Sequence, residues 1–429
     1  MRNGGIRRLL TPFEEFARSE SAGGVTLIVA AFLAFLWANS PWAPGYFALQ
    51  QTYFGFDLGG WSLEKPLLLW VNDGFMALFF FLVGLEIKRE VSVGELSEPR
   101  DAVLAVVAAL GGVVVPGVIY ATINWSGEGI GGWGVPVATD IAFALGMMSL
   151  LGDRVPLSLK VFLTALAIVD DLVAVLIIAL FYTEGISLMD LVLSFGVIVL
   201  TFAYGLNGGR NLKVFAFLGV VAWFFMLQSG IHATVAGVLL ALAIPIKRKI
   251  APEDLRDELR AGFEDRRFEG VEVKVANLER VLEDAQSSLH RLEHLLHPWV
   301  AFLVLPVFAL FNAGVSLGGG GGVLNPVTVG VFLGLLVGKP VGVLVFSWLA
   351  TRLGLASLPE GVGWPSMAGA SFLAGIGFTM SLFVGGLAFE DGGLLDQAKL
   401  GVLSASVLAA VLGLALLGWV ARSDRSGSG

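Results

Sequence analysis

The sequence predicts an all-α polytopic membrane protein of about twelve transmembrane helices. Three observations lead there. Hydrophobic residues make up 56% of the 429-residue chain and mean hydropathy is +0.82, while charged residues are only 14%. A soluble domain carries about 25% charged residues, so this chain cannot coat itself against water. Apolar runs of roughly 20 residues, the length that crosses hydrocarbon as a helix, recur along it. Lys and Arg are also distributed asymmetrically about those runs, as they are in oriented membrane chains.

The runs place spans at 24–40, 67–87, 102–122, 135–151, 158–182, 188–206, 212–228, 230–246, 299–317, 327–350, 366–389 and 399–421. The first follows a basic arm (Arg2, Arg7, Arg8, Arg18) and leads into Asn39-Ser40-Pro41-Trp42 rather than a small-residue cleavage site, which favours a retained helix over a cleaved signal peptide. With twelve spans and the N-terminus inside, every Lys and Arg except Lys65, Lys399 and Lys339 falls on the inner side, so both termini are expected in the cytoplasm. The expected organisation is a cytoplasmic arm 1–23, spans one to eight over 24–246, a polar cytoplasmic loop 247–297, spans nine to twelve over 298–421, and a cytoplasmic tail 422–429.

Between the first two spans, Gln50–Leu63 alternates aromatic and polar residues around Gly59-Gly60. This reads as an external hairpin at about 45–65, or alternatively as an interfacial loop anchored by Trp42 and Trp61. The loop 247–297 is rich in both signs of charge. Leu278, Leu282, Ala285, Leu289, Leu292 and Leu296 recur in it at helical spacing, the mark of an amphipathic helix. A solvated cover for the membrane domain and a regulatory arm both fit that pattern. No soluble enzyme domain is evident. Gly334–Lys339 is one residue short of a P-loop, and Pro340 stands where Ser or Thr is needed. With no cysteine, disulfides and thiolate metal sites are excluded.

The informative residues are the charges inside spans: Asp140, Asp170, Asp171 and Lys339. Each costs roughly 3 kcal/mol at a helix centre, on the order of 12 kcal/mol together, comparable with the stability of a whole domain. Asp170 and Asp171, being adjacent, point about 100° apart on a helix and do not serve one site equally. So close in low dielectric they oppose each other's ionisation and titrate as a coupled pair. A carboxylate of that kind exchanges a proton, and when ionised it offers oxygens that suit a hard cation. Lys339 is about 18 Å from either end of its span, too deep to snorkel, and requires an internal partner such as a mid-membrane aspartate. A structural Lys–Asp pair is the competing reading.

Asp140 follows the glycine-rich stretch Gly127–Pro136, and a second glycine-rich apolar segment, Ala368–Leu382, centres on Gly375 and Gly377. Close helix packing accounts for such glycines equally well. Yet the two segments share a glycine-rich lead, a Thr and a Met-Ser-Leu, at matching places in the three-helix sets 102–182 and 327–421. Interrupted helices at corresponding positions of two halves point to a transporter site.

Seven segments in order resemble the bacterial NhaA-type sodium/proton antiporter family: 70–90 (WVNDGFMALFFFLVGLEIKRE), 136–146 (PVATDIAFALG), 165–185, 229–237 (SGIHATVAG), 291–315, 338–342 (GKPVG) and 374–383 (AGIGFTMSLF). That family is a known case of inverted repeats built around broken helices. The resemblance implies two inverted three-helix repeats with broken, crossing helices at 135–151 and 366–389, broken at Gly375 and Gly377 in the second. It implies Asp171 as principal cation and proton carboxylate, helped by Asp170 and Thr139; Lys339 paired with Asp170; and Asp140 with Lys339 balancing the broken helix ends. Glu86, Arg89, Glu90, His232, Glu293, His294 and His297 are implied as a pH-sensing set, although histidines at a membrane boundary titrate near neutrality whether or not they sense anything.

The same resemblance implies an electrogenic, pH-regulated antiporter in the bacterial inner membrane. It would exchange Na+ or Li+ for protons without a cofactor, contact membrane lipid and no nucleic acid, and form a homodimer through the external hairpin. A proton-coupled solute symporter would want a roomier polar pocket, and a cation channel would repeat polar residues along a helix. Two departures stand out: the loop 251–288 is longer and more acidic than the family's, and Val173 stands where the family has glycine.

Overall fold

The computed structural model describes residues 20–58, 61–97, 99–183, 185–247, 286–316 and 325–427. Most of the loop 247–297, with Leu278, Leu282 and Ala285 of the expected amphipathic helix, lies outside the described residues, as do the arm before residue 20 and Gly59-Gly60. Apart from one hairpin, the described chain is helical.

Among the described residues, seven helices are long and apolar enough to cross a membrane: Leu67–Val93, Ala102–Ile123, Leu157–Phe181, Leu188–Leu206, Ser288–Asn312, Pro326–Arg352 and Gly392–Ser423. Three bent pairs bring the number to as many as ten: Ala22–Ala38 with Ala43–Gln50, Glu128–Val137 with Ile141–Ser149, and Trp364–Ala374 with Phe378–Ala388. Leu212–Gln228 and Ala233–Ala243 are shorter apolar helices. The fold is therefore an all-α polytopic membrane protein. Two boundaries differ instructively from expectation. The helix expected to begin at 299 begins at Ser288, because Ser287 caps it by accepting the backbone N–H of His290 (3.1 Å). The segment expected to begin at 135 begins at Glu128 as a 3-10 helix, a winding suited to Gly-Ile-Gly-Gly-Trp-Gly-Val-Pro.

Proline explains two irregular turns. Pro306 and Pro340 each lie inside a continuous apolar helix, lack an N–H, and crowd the carbonyl four residues back. The helix answers with one π-helical turn just before each, Val300–Val304 and Gly334–Gly338. The second turn delivers Lys339 into the middle of Pro326–Arg352.

The chain divides into two compact units, the first drawing on Met1–Met76, Glu90–Glu184 and Ala301–Gly429, the second on Ala77–Arg89 and Gly185–Val300. In the first, β1 (Tyr53–Leu58) pairs antiparallel with β2 (Trp61–Pro66), Tyr53 opposite Pro66 and Leu58 opposite Trp61. The indole of Trp70 donates to the Phe54 carbonyl (2.7 Å) and Lys65 pairs with Asp73 (2.9 Å), tying the hairpin to the helix after it. Elsewhere in this unit helices pack through small residues. A methyl group on Gly111 would strike the Gly342 carbonyl and one on Gly342 the Gly111 carbonyl, while Gly338 lies against Pro116. Such backbone-to-backbone approach is how membrane helices gain dispersion contact where lipid removes the hydrophobic drive.

The second unit is centred on Leu85, Phe215, Ala241, Ile244, Leu289 and Leu292. Leu289 and Leu292 are the buried edge of the predicted amphipathic stripe, and His294 and His297 of the same helix are exposed.

Gly111→Leu should wedge Pro99–Ile123 away from Lys339–Arg352. Overpacking of this kind costs about 1–3 kcal/mol or more. Detergent-solubilised G111L should melt several degrees below the parent in a thermal-shift assay, and an unchanged melting temperature would contradict the packing described.

Candidate functional site

All the residues expected to carry transport lie in the first unit. Asp170 and Asp171 fall near the middle of Leu157–Phe181, roughly 20 Å from its start and roughly 15 Å from its end at 1.5 Å per residue. Both are fully buried, as are Thr139 and Lys339. The neighbouring helices supply little polarity of their own, so what satisfies these charges must come from backbone that is not internally bonded.

Two breaks provide it. The 3-10 helix Glu128–Val137 ends at Ala138, and the chain is extended until Ile141–Ser149 begins; Trp364–Ala374 ends at Gly375 and Phe378–Ala388 begins after Gly377. Each pair bends by 43°. The breaks lie against each other: the Asp140 N–H donates to the Ile376 carbonyl (2.7 Å), and the Ser381 hydroxyl to the Val135 carbonyl (2.7 Å). Glycine at 375 is required by room, whereas a side chain at 377 would have to displace the side-chain ends of Leu335 and Ser381. A Cβ at 375 would press on the Leu335 carbonyl (2.6 Å), and one at 377 on the side chain of Leu335 (2.8 Å).

Four helix ends thus converge, with unsatisfied N–H groups at two and unsatisfied carbonyls at two. Asp140 serves both positive ends. It is the N-cap of Ile141–Ser149, accepting from the Phe143 N–H (2.9 Å), and it accepts the Thr379 N–H (3.0 Å) and hydroxyl in the first turn of Phe378–Ala388. A carboxylate between two helix N-termini is well placed with respect to both dipoles. Lys339 and Thr139 serve the negative ends. The Lys339 ammonium donates to the Val137 carbonyl, and the Thr139 hydroxyl lies 2.8 Å from the Ala374 carbonyl.

Asp170 joins these two. Its Oδ2 is 2.7 Å from Lys339 Nζ and 2.8 Å from Thr139 Oγ1, while its Oδ1 is buried and accepts no hydrogen bond from a described residue. One carboxylate oxygen is therefore linked through Lys339 to one broken helix and through Thr139 to the other. Thr139 has a single hydroxyl proton and two acceptors at the same distance, so it donates to one of them at a time. Gly112 leaves the stem of Lys339 its path: a methyl there would sit 3.3 Å from Lys339 Cε.

The expected pH-sensing residues are more scattered. Arg89 and Glu293 form an ion pair in the second unit. His294 meets His290, four residues earlier on the same helix, with Nε2 atoms 3.1 Å apart. Glu86 is half-buried on the helix that carries Arg89, Glu90 follows on that helix, His232 occupies the N-cap position of Ala233–Ala243, and His297 is exposed one turn beyond His294.

Several residues that build the site are not evident from sequence. Thr379 lies in the very Phe-Thr-Met-Ser run that marks the second break, and its hydroxyl reaches Asp140. Ser406 accepts the Phe378 N–H (3.2 Å) from a different helix, and no pattern in its own segment announces it. Tyr182 holds the glycine-rich lead by donating to the Gly131 carbonyl (2.8 Å) and accepting from the Gly134 N–H (3.3 Å).

Comparison with known proteins agrees over nearly the whole length. Residues 14–417 match the family model described as Na+/H+ antiporter 1. A protein named Na(+)/H(+) antiporter NhaA from Koribacter versatilis (strain Ellin345) is 48% identical over 421 residues, 96% of this chain and 92% of the relative. One of the same name from Rhodospirillum rubrum is 50% identical over 410 residues, 94% of this chain and 96% of the relative. A third, from Oleidesulfovibrio alaskensis, is 46% identical over 425 residues, 96% of this chain and 94% of the relative. Buried carboxylates set against two interrupted helices, and relatives of this similarity spanning both, agree: the chain belongs to the Na+/H+ antiporter 1 family.

Proposed function

We propose that the chain exchanges Na+ or Li+ for protons across the bacterial inner membrane by alternating access, electrogenically and under pH control, with Asp170 and Asp171 as the groups that hold either ion. The observation that carries this reading is the Asp170–Lys339 pair, fully buried and bonded to the ends of both broken helices. A buried pair is weak evidence for stability, because desolvation of two charges offsets much of their attraction. Its presence at mid-helix therefore calls for a functional account.

Carboxylate oxygens suit a hard cation. The oxygen of Asp170 that accepts no hydrogen bond from a described residue is one such ligand, and the fully buried carboxylate of Asp171, one residue on, is the principal one. Cation and protons compete for the same oxygens, and that competition couples the two fluxes without covalent chemistry. At low pH the carboxylates are protonated and transport stalls. When Asp170 is protonated its O–H donates to Thr139, which frees the threonine proton for the Ala374 carbonyl. When it is ionised, Lys339, Thr139 and the cation contend for it. The occupant of Asp170 is thereby felt at both helix breaks, which is the coupling alternating access needs.

In this reading the two broken pairs belong to inverted repeats over 102–182 and 327–421, the shorter helices Leu212–Gln228 and Ala233–Ala243 also cross the membrane to give twelve spans, both termini face the cytoplasm, and Arg89, Glu293 and the histidines set the working pH. The hairpin Tyr53–Pro66 joins two copies into a homodimer.

Asp171→Asn should abolish the Na+- or Li+-induced collapse of a proton gradient, read with a pH-gradient dye in everted vesicles at alkaline pH. A normal response from that variant would end the assignment. Lys339→Ala leaves a buried charge without its partner and should lower thermal stability by about 3–5 kcal/mol. The double variant Asp170→Asn, Lys339→Met should recover much of that loss, and purely additive effects would show that the pair is not coupled. Deleting residues 53–66 should yield a monomer in light scattering while the vesicle signal persists; a dimer that survives the deletion would place the interface elsewhere.

A further inference from the structure

One pair of side chains takes no part in holding the transported ions. His290 and His294 are four residues apart on the first turns of Ser288–Trp299, in the second unit. Their rings meet edge to face with centroids 4.3 Å apart, and their Nε2 atoms are 3.1 Å from each other. His290 is half-buried and His294 exposed, so both nitrogens are within reach of solvent. We propose that His290 and His294 form a bidentate chelate for a borderline transition-metal cation such as Zn2+, Ni2+ or Cu2+.

The geometry is the argument. Imidazole nitrogens bind Zn2+ at roughly 2.0–2.1 Å. Two such bonds at about 100° around one metal place the nitrogens about 3.1–3.2 Å apart, which is the separation the two rings already hold. Histidines at i and i+4 share a helix face, the spacing by which helical metal sites present two imidazoles to one ion. The helix is rigid here: Ser287 caps it, and Leu289 and Leu292 are buried in the core of the unit, so binding orders little that is not already ordered. Without metal, one Nε2 donates a proton to the other, and the metal takes the place of that proton. Among the described residues no group of three or more His, Cys, Asp or Glu is placed to hold a metal. Two imidazoles with water in the remaining positions make an open, exchangeable site rather than a structural cage.

Imidazole ligation also dictates selectivity. Affinity should rise from Co2+ through Ni2+ to Cu2+ and fall at Zn2+, and Mg2+ and Ca2+, which want oxygen, should not bind.

The test is titration calorimetry on the full chain in detergent, carrying no histidine tag and freed of metal by chelator. The parent should bind one Ni2+, or in a separate titration one Zn2+, per chain at this site. His290→Gln and His294→Ala should each weaken that binding by about tenfold or more, since even losing a group behind a ligand costs 10–100-fold, while His232→Ala should retain it. Thermal shift on the same samples gives a second readout: Ni2+ should raise the melting temperature of the parent and of His232→Ala but not of the two pair variants. Equal Ni2+ binding by His290→Gln and the parent, no binding by the parent, or binding matched by Mg2+ would each overturn the proposal. Because calorimetry needs no transport, its failure leaves the antiport reading untouched.

Discussion

Everything in the first unit answers to one constraint: charge and unbonded backbone buried in an apolar interior must satisfy each other. Breaking two helices frees N–H groups at two ends and carbonyls at two others, several kcal/mol each if left alone in hydrocarbon. Asp140, Lys339 and Thr139 settle that problem in pairs, one carboxylate for the two positive ends and one ammonium and one hydroxyl for the two negative ends. The breaks and the charges therefore depend on each other. Either one alone would be a defect.

That mutual dependence also makes the site responsive. Asp170 is bonded to both the ammonium and the hydroxyl, so a change in its occupant alters hydrogen bonds at two helix ends together. The surroundings are built to transmit this rather than absorb it. Gly111, Gly342 and Gly338 bring backbones into contact, and close-packed interfaces shift between discrete arrangements instead of deforming smoothly. The π-helical turn before Lys339, forced by Pro340, sets that lysine within a helix whose local winding is already irregular.

Much of this is legible in the sequence because the energetic penalties are so large. A lysine in the centre of a 27-residue apolar helix and two adjacent aspartates in the centre of another are costly enough that their coming together is expected from the residues alone. The glycine-rich leads mark both interrupted segments. The hairpin at 53–66 is one of two open readings, because alternation of aromatic and polar residues describes a strand and an interfacial loop alike. Thr379 stands in plain view within the second motif but carries no sign of its partner, since a hydroxyl in an apolar run most often bonds its own helix backbone. Ser406 has no signal, because its partner is contributed by another helix; His290 is legible only as the i, i+4 neighbour of His294, and whether the two rings meet depends on an orientation that is not periodic.

Sequence alone settled the class, the residues too costly to be accidental and the family they resemble, because insertion into lipid is governed by composition along the chain. Tertiary structure decided which end of which broken helix each charge serves, that one oxygen of Asp170 is shared by Lys339 and Thr139, and that His294 meets His290. The first two are distances between segments as much as 239 residues apart, set by how helices cross, and crossing geometry comes from side-chain and backbone contact that no one-dimensional pattern contains; the third is a ring orientation within one helix.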